Sequence, residues 1–445
     1  MAKEKNGVIK NAGWIIGCRI IQSLISFVIG LLTARYLGPS NYGALNYAMS
    51  VVAFAVPVMQ LGLNHTLVRE FVRHPNREGQ VLGTALVINI ISSLFCMAGT
   101  VAFVLFVDAG DGEAILICGL YSLTLLFQAT EMTQFWFQSR LLSKYPSLVT
   151  LCAYIVVALY KVYLLAARKS VAWFAMSNVL DYFLISILLL AVYKKLGGQR
   201  LSLNWQMGRE MLSRSKYYII PSLMVIIFQH TDRIMIKLML GEAETGIYSA
   251  AIACIGITGF VFAAVIDTAR PVILEAKERD QTLFETRMVQ LYSIITCMSL
   301  ALSVGMALFA KPIVWLLYGP EYAGAASVLA IAVWYVTFSY YGSVRNIWIL
   351  AEEKQKYLVR INVYGAVANV VLNYCLIPRW GAIGAAAASV VTQFFTNVIM
   401  GFICLPIRNN NDLLVRGLNP RVVLHILYSV WGRRKQQGNV PKNTD

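Results

Sequence analysis

Residues 217–251 read YYIIPSLMVIIFQHTDRIMIKLMLGEAETGIYSAA, and residues 14–48 read WIIGCRIIQSLISFVIGLLTARYLGPSNYGALNYA. Setting Gly241 on Gly38 also sets Leu240 on Leu37 and Gly246 on Gly43, at one offset of 203 residues. Each copy is a long apolar run, a Leu-Gly turn, a short polar break, a second glycine and another apolar run. A chain of 445 residues that restarts near its middle is built of two similar halves.

Hydrophobic residues make up 58% of the chain and charged residues 13%, with a mean hydropathy of +0.63. A soluble globule carries about 25% charged residues, so the composition excludes a soluble enzyme and indicates an all-α integral membrane protein. Twelve apolar runs are long enough to cross about 30 Å of hydrocarbon. They cover 12–34, 42–65, 79–107, 113–136, 146–166 and 171–193, then 217–240, 246–269, 288–310, 322–350, 358–377 and 382–405. With no water to satisfy the backbone each must be a helix, because the ten-residue alternation of a barrel is absent. The expected organisation is a six-helix bundle in 1–193, a basic linker in 194–216, a second six-helix bundle in 217–405 and a basic tail in 406–445. An even number of spans per half makes the bundles parallel repeats around a central cavity. The tail is expected to form a surface helix near 420–431 and to end in disorder.

Of the 38 Lys and Arg residues, 28 fall in the N-terminal tail, the links after even-numbered spans and the C-terminal tail, against 5 in the other links. That alternation places both termini in the cytoplasm. It also accounts for the net charge of +16 without nucleic acid. The linker carries Lys194, Lys195, Arg200, Arg209, Arg214 and Lys216. It reads either as a simple positive-inside link or as an amphipathic helix with Leu201, Leu203, Trp205 and Leu212 toward lipid. The eight cysteines and four histidines share no metal-ligand spacing. The first run is too long for a signal peptide and is read as a retained span.

Charges inside spans are costly and mark cavities or partner helices. Gln229, Arg233 and Lys237 recur at i, i+4 and i+8, with His230 beside them, and form one cationic stripe. The alternative is that Asp232 pairs with Arg233 or with a residue of another span, while Lys237 snorkels outward. Arg19 is a second cation, on the span that the repeat pairs with this one. Arg345 and Glu352, near the inner end of the tenth span, either snorkel or gate. Asp181, Glu131 and Asp232 are carboxylates able to carry a proton or bind a cation. Lys161 is expected to snorkel, and Asp267 and Arg270 to form a local pair. No phosphate-binding loop, nucleophile elbow or paired-carboxylate motif is present. The pattern is therefore that of a carrier, without enzyme chemistry, for an anionic substrate whose phosphate oxygens arginine matches in charge and geometry.

Several stretches carry a resemblance. They are Thr33-Ala34-Arg35-Tyr36-Leu37-Gly38-Pro39-Ser40-Asn41-Tyr42-Gly43, Leu61-Gly62-Leu63, Val68-Arg69-Glu70, Asp232-Arg233 before Leu240-Gly241, Gly246-Ile247-Tyr248, Leu316-Leu317-Tyr318-Gly319-Pro320-Glu321-Tyr322 and Gly381-Ala382-Ile383-Gly384-Ala385-Ala386. In this order they resemble the bacterial polysaccharide flippases of the multidrug/oligosaccharidyl-lipid/polysaccharide exporter superfamily. The resemblance implies a multi-pass inner-membrane carrier of undecaprenyl-diphosphate-linked oligosaccharide, such as an O-antigen or capsule repeat unit, moved outward by alternating access. Arg19, His230, Arg233, Lys237 and Arg345 would receive the substrate. A proton or sodium gradient would drive it through Asp181, Glu131 or Asp232, without a cofactor. Membrane lipids, a polymerase and glycosyltransferases would be its neighbours. The related peptidoglycan-precursor flippases have fourteen spans, which this chain lacks. The alternative within the superfamily is a multidrug exporter, whose organic cations Arg233 and Lys237 would repel.

Overall fold

A computed structural model describes residues 2–419, with side chains from Gly17 onward. Chains in hydrocarbon must satisfy their own backbone groups, and the described residues form helices and turns without a strand. The main helices are α1 (Ala2–Gln60), α2 (Glu78–Val107), α3 (Gly112–Ser122), α4 (Lys144–Ala166), α5 (Val171–Lys195), α6 (Trp205–Ser215), α7 (Ile219–Leu240) and α8 (Glu242–Gly256). They continue as α9 (Gly259–Arg279), α10 (Gln281–Leu308), α11 (Ala310–Tyr318), α12 (Ala325–Ala332), α13 (Tyr335–Ala351), α14 (Gln355–Phe394) and α15 (Arg408–Gly417).

Among the described residues nine helical stretches are long and apolar enough to cross a membrane, or ten when the bent pair α8 and α9 counts as one. The number is below the expected twelve because neighbouring runs are joined. The stretch Gly17–Gln60 has 44 residues and a contour of about 66 Å, roughly two hydrocarbon thicknesses. It turns at Gly38 (φ 71°, ψ 173°), as α14 turns at Gly381 (φ 62°, ψ −144°). Only glycine takes these positive φ values without strain.

The chain divides into two compact units. The first runs through Ala253 and includes Trp315–Gly324 and Ile377–Ala382; the second holds Cys254–Val314, Ala325–Leu376 and the chain from Ile383. The division falls beyond the linker because α7 packs along α1, so both copies of the repeat lie in the first unit. Gly241 (φ 95°, ψ −174°) repeats the conformation of Gly38. The second glycines of the copies meet. A Cβ on Gly43 would run into the Glu242 carbonyl, and one on Gly246 into the Pro39 carbonyl. Pro39 and Glu242 are themselves related by the offset, so the crossing is a two-fold contact between equivalent backbones.

Other motifs of the sequence also close on one another in this unit. Arg35 donates to the carbonyls of Leu316 and, at 2.5 Å, Leu317 at the end of α11, and the Tyr322 hydroxyl donates to the Ala34 carbonyl at 2.8 Å. The Leu316 and Leu317 carbonyls are among the last of α11, where carbonyls lack intrahelical partners. The linker is docked along its length. Ser202 N donates to Gly79 O at 3.2 Å, Asn204 caps α6 by accepting from Met207 N, and Ser215 Oγ donates to Leu61 O at 2.8 Å. Arg214 reaches the buried Glu70 at 3.0 Å, and Met211 enters the core formed with Trp136, Phe137 and Tyr193.

In the second unit α15 packs against α10. Tyr292 donates to Asn410 Oδ1 at 2.9 Å, and Asn411 Nδ2 donates to Val398 O at 2.7 Å. The opening of the segment expected as a basic tail is a docked helix, whose asparagines serve partners that its polar composition did not reveal. The helix expected near 420–431 and the terminus beyond it lie outside the described residues. Asp267 and Arg270 pair at 3.4 Å, as expected.

Candidate functional site

The expected stripe on α7 separates into a closed part and an open part. Lys237, only 8% exposed at its side chain, pairs with Asp108 and, at 3.3 Å, Asp111 in the turn between α2 and α3. The Tyr47 hydroxyl donates to the other Asp108 oxygen at 2.6 Å, and the Lys237 ammonium lies 4.9 Å from the Tyr47 ring centre. Asp111 also caps α3 by accepting from Ala114 N at 3.0 Å. Partial burial works to raise the Asp111 carboxyl, but that amide bond and Lys237 outweigh it and hold it below its ordinary range. Lys237 therefore neither snorkels nor stands open; it closes an internal ion-pair network.

One turn back, Arg233 Nε donates to Ser249 Oγ and Nη1 to the Gln229 carbonyl, both at 3.1 Å. These two bonds fix the guanidinium while its remaining N–H groups have no partner among the described residues. Gln229 is exposed beside it, and His230 Nδ1 lies 3.2 Å from Ser50 Oγ on α1. Asp232, next to Arg233, is buried and accepts from the Tyr248 hydroxyl at 2.5 Å. Arg19 is exposed on α1, and no hydrogen bond or ion pair among the described residues joins it to α7. The first unit thus offers Arg233, with Gln229 and His230, and separately Arg19, as accessible polar groups.

Within the same unit Glu131, Asp181 and Lys161 come together. Lys161 Nζ donates to Asn178 Oδ1 at 3.1 Å, one turn from Asp181 on α5. Asp181 is close enough to interact with both Lys161 and Glu131, and its buried Oδ1 has no hydrogen-bond partner. Lys161 and Asn178 line a cavity of about 160 Å³ with Ser26, Asn46, Tyr121 and Tyr154. Lys161 was expected at the lipid boundary; it turns inward because Asn178 and Asp181 offer acceptors there. The i, i+3 spacing of those two residues was the available signal.

Arg345 belongs to the second unit and is 2% exposed. Its Nη1 donates at 2.8 Å to the Thr396 carbonyl, within the π-helical turn Phe395–Ile399. Such a turn shifts carbonyls out of the α pattern, and here one of them receives the buried cation. Arg345 faces protein, not an open surface. Glu352, at the end of the same helix, pairs with Lys277.

A family profile described as polysaccharide biosynthesis protein matches residues 8–277. The chain belongs to that family. Among curated relatives it is 22% identical over 399 residues to the capsular polysaccharide biosynthesis protein CapF of Staphylococcus aureus, covering 87% of this chain and 96% of that one. It is 24% identical over 226 residues, 47% of each chain, to the probable low-salt glycan biosynthesis flippase Agl15 of Haloferax volcanii. Its fold matches the lipid II flippase MurJ in an inward closed conformation, with TM-score 0.72 and 13% identity over 94% of this chain and 92% of that one. It also matches an inward-facing multidrug resistance MATE family transporter of the MOP superfamily, with TM-score 0.65 and 15% identity over 88% and 95%. The family match runs from within α1 into α9 and so includes the helices that carry Arg19, Arg233 and the cavity.

Proposed function

We propose that this multi-pass membrane protein is a flippase. Its substrate is an undecaprenyl-diphosphate-linked oligosaccharide, an O-antigen or capsule repeat unit, moved from the cytoplasmic to the outer leaflet of a bacterial inner membrane by alternating access. The family and the names of its relatives support the glycan. The observation that carries the anionic substrate is Arg233, fixed by two bonds yet with guanidinium N–H groups to spare, the donor set that a diphosphate takes. Arg19 is the second phosphate-binding cation. Lys237 and Arg345 are spent on protein partners, each within its own unit. Both termini are cytoplasmic, and the enzymes that build and polymerise the glycan act on either side of this step.

Coupling to a proton or sodium gradient falls to Asp181 and Glu131. A carboxylate oxygen without a partner, beside a lysine and a second carboxylate, gains most by binding a cation. Asp232, already bonded to Tyr248, is the weaker candidate. The test is leaflet-resolved analysis of lipid-linked glycans in cells with and without the protein. A complete repeat unit held on the cytoplasmic face without the protein, and with Arg19→Ala or Arg233→Ala at normal abundance, is the expected result. An unchanged pool refutes the reading and leaves the small-molecule exporter.

A further inference from the structure

The docked linker covers a second feature of the first unit. An apolar groove of about 560 Å³ is lined by Val58 and Leu61 at the end of α1, by Ile88, Ile91, Phe95 and Gly99 along α2, and by Trp205 and Leu212 of α6. Phe95 is 75% exposed and Trp205 61%, so the groove opens outward from helices that cross the membrane. From Ile88 to Gly99 it follows α2 for about 16 Å, close to one leaflet of a hydrocarbon core about 30 Å thick.

We propose that this groove holds one acyl chain of an anionic phospholipid of the surrounding bilayer, its phosphate resting on Arg209. The dimensions argue for the chain, and the lining has almost no polar group to receive anything else. The charge argues for the headgroup. Trp205, Arg209 and Leu212 share one line of α6, so the cation stands between the two side chains that roof the groove. Arg214 on the same helix is occupied by Glu70, whereas Arg209 is exposed and forms no ion pair among the described residues. A tryptophan and a cation at the rim of an apolar groove are the side chains that settle at a headgroup boundary. The proposal does not depend on what the protein transports.

The experiment uses the full chain reconstituted into vesicles of phosphatidylcholine with or without phosphatidylglycerol, the acyl chains brominated. Trp205 fluorescence is isolated by subtracting a Trp205→Phe variant, and lipid retained after purification is counted by native mass spectrometry. Phosphatidylglycerol is expected to quench Trp205 and to be retained in preference to phosphatidylcholine. Arg209→Gln should weaken that preference about fivefold, the share of one surface cation, while the neutral lipid is unaffected. Gly99→Phe should abolish retention and quenching while the protein stays folded, because a Cβ at Gly99 meets nothing within 4 Å. Equal retention of the two lipids, or unchanged retention in either variant, overturns the site. So does a dimer that Gly99→Phe dissociates, which would give the groove to a second copy of the chain.

Discussion

The two copies of the repeat present the same face and use it oppositely. In the first, Ser26, Ile29, Gly30 and Thr33 face Tyr42, Leu45, Asn46 and Met49 across the cavity of about 160 Å³. At the offset of 203 those positions are Gln229, Asp232, Arg233 and Ile236, facing Thr245, Tyr248, Ser249 and Ile252. Tyr248 donates to Asp232 there, and Arg233 donates to Ser249. Where the first copy leaves a polar hole, the second bridges it with two side-chain bonds and turns the rest of its arginine outward. The backbones agree because glycine sets both turns and the crossing; the side chains differ in what they bond. An inherited repeat therefore supplies a frame, and function is read from where its copies disagree.

The largest expected effect breaks the comparison at Lys237, whose equivalent in the first copy is the neutral Ala34. Since the frame accepts a neutral residue there, the cost of Lys237→Met comes from leaving Asp108 buried without its partner. That cost is about 3–5 kcal/mol, read as a lower Tm of the purified protein. Adding Asp108→Asn should recover a large part of it, and a double variant no better than the sum of the singles would refute the pairing. Asp111, held below the usual carboxylate range, contributes its share above about pH 4 and loses it only as the pH falls further. Next in size is the glycine crossing. Gly43→Ala and Gly246→Ala each force a methyl into a backbone carbonyl of the other copy, at about 1–3 kcal/mol. Because the contact is symmetric, the two should lower Tm by similar amounts, and a large difference would deny the two-fold relation.

The repeat was legible from sequence because a turn at positive φ leaves glycine as its mark. The apolar runs were legible too, since a span's length and composition are local features. What was not legible is which charge meets which. The partners of Lys237 sit in a short link far away in the chain, and nothing near Lys237 announces them. Lys161 was misplaced at the lipid boundary because depth alone says nothing about the rotation of a helix. Residues 408–417 read as tail since asparagines in a docked helix are indistinguishable by composition from those in a loop. The intramembrane charges were legible as a class, and only packing divided them into closed and open.

Smaller effects sharpen the comparison at Arg233 and Gly30, which the offset makes equivalent. Arg233→Gln loses one or two hydrogen bonds, about 1 kcal/mol each, so folded protein should be recovered at near-normal yield while glycan export fails. Export at the normal rate would remove Arg233 from the substrate path. Gly30 carries the smallest change of stability. It is helical, and a Cβ there meets nothing within 4 Å, so Gly30→Ala should stabilise α1 by about 0.5–1 kcal/mol through backbone entropy. A larger side chain at the same place enters the cavity that Lys161 and Asn178 line, as Arg233 enters its counterpart. Gly30→Leu should therefore leave the fold intact and still slow transport, with the loss following the gradient-dependent step and not substrate binding. If the leucine variant transports normally, the hole in the first copy is packing without purpose, and the contrast between the copies reduces to Arg233 alone.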